Sequence, residues 1–378
     1  MKFIHLSDLH IGKRLNEFSF LPDQEYILAQ ITEIVKNEQA DAVLIAGDVY
    51  DKSVPSAEAV ALFDRFLSGI TAVCNDIFII SGNHDSPERI AFGSHIMEKS
   101  GVHLSPVYSG SIAKTMLDDG KTKVNVYMLP FVKPANVRRF FPDNSIESYT
   151  DAIGTAIDNM EINANEINLL VTHQFVTGAS VCDSEEHSVG GTDNVNGEVF
   201  SCFDYVALGH IHSPQNVGSE RIRYSGTPLK YSFSEAKHNK SVTVIDIQSK
   251  DEITVSSISL TPLRDLREIR GKYDDIMLKS NYEGTNREDY VHVILTDEDD
   301  IPDAMARLRV VYPNVMKITY DNMRTRNSQQ IDADSDISSK SPFQLFGEFY
   351  KKQNGTDLND EQEKYIEKLI ESIWEGRK

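Results

Sequence analysis

The sequence predicts an α/β protein carrying a second, smaller α/β module. Short apolar runs of strand character alternate with amphipathic stretches of helical period up to about residue 262. The same alternation returns on a smaller scale between 266 and 321. A polar stretch then separates this module from two apolar-striped segments at the end. A chain of 378 residues is long for one domain and comfortable for two, so a large buried core is available.

Six runs read as strands in the first part: KFIHLS (2–7), DAVLIAG (41–47), IFIISG (77–82), VNVYML (124–129), INLLVT (167–172) and YVALG (205–209). In EYILAQITEIVKN (25–37), Tyr26, Ile27, Ile31, Ile34 and Val35 fall on one helical face. SAEAVALFDRFL (56–67) starts at a Ser56 cap. SPERIAFGSHIMEKSG (86–101) predicts a helix with Ser86 as cap, Pro87 in its first turn and Gly101 as its stop. RIRYSG, KSVTVIDI (240–247) and EITVSSISL (252–260) are strands without helices between them, which predicts antiparallel pairs at the end of the sheet.

From 266, LREIRGKY, YVHVILTD (290–297), PDAMARLRVVYP (302–313) and VMKITYD (315–321) spell a small α/β module. RTRNSQQIDADSDISSKS (324–341) has almost no apolar anchor and reads as a linker. Two helices follow, separated by Gly355. One carries Phe343, Phe346, Phe349 and Tyr350, and the other Tyr365, Ile366, Leu369, Ile370, Ile373 and Trp374. The expected division is 1–262, 263–325, a 326–341 linker and 342–378.

No apolar run approaches the ~20 residues that span a bilayer, so no membrane is expected. Cys74, Cys182 and Cys202 have no metal-type spacing and read as reduced thiols of a cytoplasmic protein. A net charge of −20 argues against strong DNA binding by this chain alone, since nucleic-acid binders display basic footprints. No Gly-rich phosphate loop ending in Lys-Ser/Thr is present.

The chemistry is concentrated at strand ends. Asp8 and His10 follow the first strand, Asp48 the second, Asn83 and His84 the third, His173 the fifth, and His210 and His212 the sixth. In extended backbone, residues i and i+2 point the same way, so Asp8 with His10 and His210 with His212 can each aim two ligands at one side. The carboxyl ends of parallel strands converge on one crevice. A lone HxH or a GD turn is ordinary; five such ends completing one donor set are not. Seven ligands exceed what one ion takes, and carboxylate with imidazole suits Mn, Fe or Zn. Two ions need a bridging carboxylate, and Asp48 on a central strand is the best placed.

The pattern DxH…GDxxD…GNHD…H…GHxH resembles the calcineurin-like metallophosphoesterase superfamily. FIHLSDLHIGK and FDYVALGHIHSPQ followed by YSGTPLKYSFSE narrow the likeness to the nuclease subunits of bacterial SbcCD complexes. The resemblance implies a core of two packed mixed β-sheets flanked by helices (1–262), a cap domain contacting DNA (263–325), and C-terminal helices (342–378) that dock the ATPase subunit SbcC. It implies one ion on Asp8, His10, Asp48 and His212 and another on Asp48, Asn83, His173 and His210, with Mn²⁺ favoured. His84 would face the scissile phosphate, oriented by Asp51.

The activity implied is 3′ to 5′ degradation of duplex DNA ends and endonucleolytic cutting of single strands and hairpins, in DNA repair, recombination and replication. ATP dependence would come from SbcC, and a homodimer would form through the core. The alternative is a small-molecule or nucleotide phosphodiesterase using the same metals; a scaffold that mainly engages the ATPase ranks third. GDVYDKS and GNHD lack the arginine and glutamate of Ser/Thr protein phosphatases, which disfavours phosphoprotein substrates. Arg14, Arg89, Lys133, Arg138 and Arg139 are candidate phosphate contacts.

Overall fold

The computed structural model describes residues 1–185, 194–328 and 341–375. The chain divides into two compact units, Met1–Asp265 and Leu266–Lys378.

Among the described residues, the first unit holds twelve strands of three or more residues. They are β1 (Lys2–Leu6), β2 (Ala42–Ala46), β3 (Asp76–Ile80), β4 (Val102–Ser105), β5 (Ala113–Asp118), β6 (Lys123–Leu129), β7 (Ile167–His173), β8 (Tyr205–Gly209), β9 (Gln215–Val217), β10 (Ser219–Tyr224), β11 (Ser241–Ile247) and β12 (Ile253–Ser259). They form two six-stranded sheets, β12-β11-β1-β2-β3-β4 and β9-β10-β8-β7-β6-β5. Both are mixed: β1 to β4 run parallel, and β11 joins β1 antiparallel before pairing antiparallel with β12. The expected mixed α/β core with antiparallel closing pairs is what the fold contains.

Alternation explains how the sheets stack. Leu44 and Ala46 face one way along β2, and they join Phe78, Ile80, Val126, Met128, Leu169, Val171 and Ala207 in a core between the sheets. On the other face of the second sheet, Leu170, Val206 and Leu208 pack with Ala152, Ile153, Ala156 and Ile157 of a helix over Tyr149–Asp158. That helix is absent from the sequence reading. Its Thr and Gly content gives it weak propensity, but Ser148 and Asp151 form a reciprocal capping box that fixes its start.

Two other helices match expectation more closely. Leu21–Asn37 buries Ile27, Leu28, Ile31 and Val35, and Ala57–Thr71 is capped by the Ser56 hydroxyl accepting from the Ala59 amide at 3.3 Å. The continuous helix expected over 86–101 is instead two single turns, Pro87–Ile90 and Ser94–Met97, and a short 3-10 turn. Gly93, at φ 78° between them, takes a left-handed conformation that breaks the helix.

In the second unit, three parallel strands cover Leu266–Gly271, Tyr290–Leu295 and Val315–Tyr320. Their core contains Val291, Val293 and Val315 with Leu308 of the helix Ala304–Arg309. Part of the expected linker is helical, over Met323–Ser328; residues 329–340 lie outside the described residues. The terminal helices are Pro342–Asn354 and Asp360–Glu375, the first ending at Gly355 with φ 70°. Among the described residues, no helix is long and apolar enough to cross a membrane.

Candidate active site

Strands β1, β2, β3, β7 and β8 end at one place, and the loops leaving them are bound to one another. The Asp8 amide donates to the Gly47 carbonyl (3.1 Å), and the His10 amide to the Asp48 carbonyl (2.9 Å). The His210 amide donates to Asp8 Oδ1 (3.0 Å), and the His84 amide to Asp48 Oδ1 (2.9 Å). Candidate ligands thus also fasten their neighbours' backbone.

The expected residues converge, but not by extended alternation. Asp8 (φ 52°), His10 (φ 43°), Asp48 (φ 48°) and His210 (φ 107°) all have positive φ. Such conformations cost of order 1–3 kcal/mol each, and they concentrate where function over-determines the backbone. It is this turning, not strand alternation, that aims the side chains together. The glycines before Asn83 and His210 permit the close approach. A Cβ on Gly82 would collide with the Asp48 carboxylate, and one on Gly209 with the Ala46 carbonyl.

All seven candidate ligands meet in two overlapping groups. Asp8, His10 and His212 form one; His173 and His210 gather on Asn83 in the other, with Nε2 and Nδ1 at 2.9 and 3.0 Å from Asn83 Oδ1. Asp48 lies between, its Oδ2 at 3.7 Å from His10 Nε2 and 3.4 Å from His173 Nε2. His84 Nε2 approaches the same oxygen at 4.0 Å.

The outer hydrogen bonds assign the tautomers. The Ala46 carbonyl can only accept, so His173 Nδ1 carries a proton toward it (2.8 Å) and Nε2 faces inward. The Ser184 hydroxyl donates to Glu235 Oε1 (2.5 Å) and therefore accepts from His212 Nδ1 (2.8 Å). His212 Nε2 is left facing His10 Nε2 at 3.1 Å. His10 Nδ1 and His210 Nε2 are buried without a hydrogen-bond partner.

Electrostatics follow from this crowding. Burial holds His10 and His210 neutral, pulling His210 down to about 3 with help from the neighbouring His173. Burial also opposes charge on His173, but the Asp48 carboxylate overrides it and raises the imidazole to about 9. Asp8 is raised to about 6 by burial. Oxygen and nitrogen lone pairs therefore converge on a buried centre that requires positive charge among them. Neutral His10 and His210 with the carboxylates, joined by His173 once an ion displaces its Nε2 proton, form a donor set that fits divalent metal ions.

Several residues here escaped the sequence reading. Asp85 accepts from the Val49, Tyr50 and Gly82 amides at 3.1, 3.0 and 2.9 Å, locking the turns after β2 and β3 together. Glu235, fully buried, braces His212 through Ser184 and is paired with Lys240 Nζ at 2.5 Å. Burial pushes the Glu235 carboxyl up, but the His212 ring 3.6 Å away and the Lys240 charge outweigh it and hold it well below the usual range. Replacing Lys240 by Met should destabilise the fold by about 3–5 kcal/mol, because it strands a buried carboxylate. Urea unfolding of the two proteins measures this difference.

Asp51 departs from expectation. It is the Asp51 carbonyl that meets His84 Nδ1 at 3.1 Å, while the carboxylate is drawn to Lys13 Nζ at 2.8 Å. Ser184 and Glu185 also touch the site, at the start of a polar sequence whose residues 186–193 lie outside the described residues.

Residues 1–214 match the profile of the calcineurin-like phosphoesterases, and 262–354 match a profile described as the type 5 capsule protein repressor C-terminal domain, SbcD_C. The SbcD subunit of the SbcCD nuclease from Staphylococcus epidermidis is 33% identical over 382 residues, covering 99% of both chains. Its counterpart in Staphylococcus saprophyticus is 33% identical over 384 residues with the same coverage. The chain therefore belongs to the calcineurin-like phosphoesterases and, within them, to the family of SbcD subunits of SbcCD nucleases.

Proposed function

We propose that the chain is a metal-dependent nuclease that hydrolyses DNA phosphodiesters, cutting duplex ends 3′ to 5′ and opening hairpins. Asp8, His10, Asp48 and His212 would hold one divalent ion, and Asp48, Asn83, His173 and His210 a second, with Mn²⁺ favoured. The carrying observation is Asp48 Oδ2, which lies within 4.0 Å of ring nitrogens from His10, His84 and His173. When bound, such ions polarise a phosphoryl oxygen and activate water for in-line displacement.

The protein's own groups supply the rest. His84 donates Nδ1–H to the Asp51 carbonyl, so the proton it exchanges with substrate is the one on Nε2. Its side chain is 16% exposed, whereas His10, His173 and His212 are almost wholly buried. That accessibility suits a residue that protonates the leaving oxygen. Ser184 and Glu235 hold the His212 ring in one tautomer, and Ala46 does the same for His173.

Assembly extends this reading. Phe92 is 84% and Ile96 76% exposed, a pair of large apolar side chains that supports a homodimer through the core. Phe349, Tyr365 and Leu369 are 53, 67 and 43% exposed on the terminal helices, which supports docking onto the SbcC ATPase by an apolar helix face. Such a partner would also add phosphate contacts to the few that a chain of net charge −20 can offer.

The acidic balance favours one rival, a phosphodiesterase for nucleotides or other small esters. Hairpin DNA and a small chromogenic diester, each supplied with Mn²⁺ in the presence and absence of the ATPase, separate the two. Hairpin cleavage supports the nuclease. Turnover of the small ester alone, with DNA intact even when the ATPase is present, would favour the rival.

A further inference from the structure

Beside the metal centre lies a cleft of about 420 Å³, within the range of ligand-binding clefts. Asn83 and Gly82 line it at one end, so it opens directly beside the proposed ligands. Phe131 connects the two, lining the cleft while its ring stands edge-on to His173 at 6.2 Å.

The far wall is aromatic and cationic. Phe140 is 40% exposed, although it sits among residues that could have covered it. Tyr108 holds its ring edge-on at 5.6 Å, and Gly110, at φ 92°, packs so closely behind it that a Cβ would collide with the ring. The ring is therefore backed by Gly110 and Tyr108 and still keeps two fifths of its surface exposed. The Arg139 guanidinium lies over the ring at 5.8 Å from its centroid, an exposed side chain that a stacking base would displace toward its own phosphate, and Lys133 is exposed in the same lining. Of the two acids in the wall, Asp85 is tied to backbone amides and Glu88 accepts from the Ser86 hydroxyl at 3.3 Å.

A rigid exposed ring flanked by two cations, next to a phosphodiester-cleaving centre, fits one chemical class. Aromatic faces stack any base, and Lys or Arg beside them neutralise the linking phosphates. We infer that this cleft is a subsite for a single unpaired nucleotide of the DNA strand, its base on Phe140 and its phosphates at Lys133 and Arg139. The inference rests on the nuclease reading for its substrate. It adds that the strand is separated from its complement at the point where it enters the site, since a paired base cannot reach the ring.

Fluorescence anisotropy tests this without any cleavage, in EDTA and at low salt. The probes are a fluorescein-labelled oligothymidylate and an abasic strand of equal length and charge. The wild-type chain should bind the oligothymidylate at least about fivefold more tightly, the lower end of what base–aromatic stacking gives. Phe140→Ala should erase that preference, bringing oligothymidylate affinity down to that for the abasic strand. Replacing Lys133 and Arg139 together by Ala should weaken both strands.

Equal wild-type affinity for the two probes, or a preference that survives Phe140→Ala, would overturn the subsite. Thymidine monophosphate competing as well as the strand would reassign the cleft to a free nucleotide. A chain that shows the base preference yet cuts no DNA with its ATPase present would sink the nuclease reading and leave the subsite standing. One that cuts DNA with no preference sinks the subsite alone.

Discussion

Replacing His84 by Gln should lower the rate of phosphodiester cleavage by about 10²- to 10⁴-fold, the contribution of a positioned general acid. Metal binding should survive, because the resemblance leaves His84 outside the two ligand sets, although its ring stands within 4.0 Å of Asp48. The Gln side chain can still bond the Asp51 carbonyl, now through its amide, so the loop is held. What it lacks is a proton to give at the position of Nε2. The test is a rate measured with substrates differing in leaving group. A poor alkoxide leaving group should suffer the full loss, and a good phenolate one much less, since it needs no protonation. An equal loss for both would assign His84 to positioning or charge stabilisation instead.

Asp48→Asn should cost more, and in a different quantity. This carboxylate has one oxygen on the His84 amide and the other facing His10 and His173. The amide could keep the first contact, yet it removes the negative charge that two cations would share. Removing an outer partner of a metal ligand commonly weakens affinity about 10- to 100-fold, and loss of a shared ligand should exceed that. Isothermal titration with Mn²⁺ should show two tight ions for the wild type and at least one lost in the variant. Excess metal should then restore little activity, whereas His84→Gln should not respond to added metal at all.

These outcomes depend on a site whose parts were unequally legible in the sequence. Asp8, Asp48, Asn83, His173, His210 and His212 stood out because polar donors ended apolar runs, and the structure gathers them. The reason for their convergence differs from strand alternation: Asp8, His10 and His210 leave the strand conformation for positive φ. No residue pattern announces that, because only Gly prefers such angles and these positions are not Gly.

The supporting residues were hidden for another reason. Asp85 reads as part of a turn motif, but its three amide partners lie on two separate loops. Glu235 and Lys240 look like surface charges until the fold buries them behind His212. The resemblance pairs the carboxylate of Asp51 with His84, but Lys13 takes it in space. Local signals can be faint in their own right, as with the Ser148 capping box, or overridden, as where Gly93 interrupts the helix expected over 86–101.

Anomalous X-ray scattering from Mn²⁺-soaked crystals tests the central claim most directly. Two peaks should appear, one among Asp8, His10 and His212 and the other among Asn83, His173 and His210, with Asp48 touching both. A single peak away from Asp48, or none at saturating Mn²⁺, would contradict it.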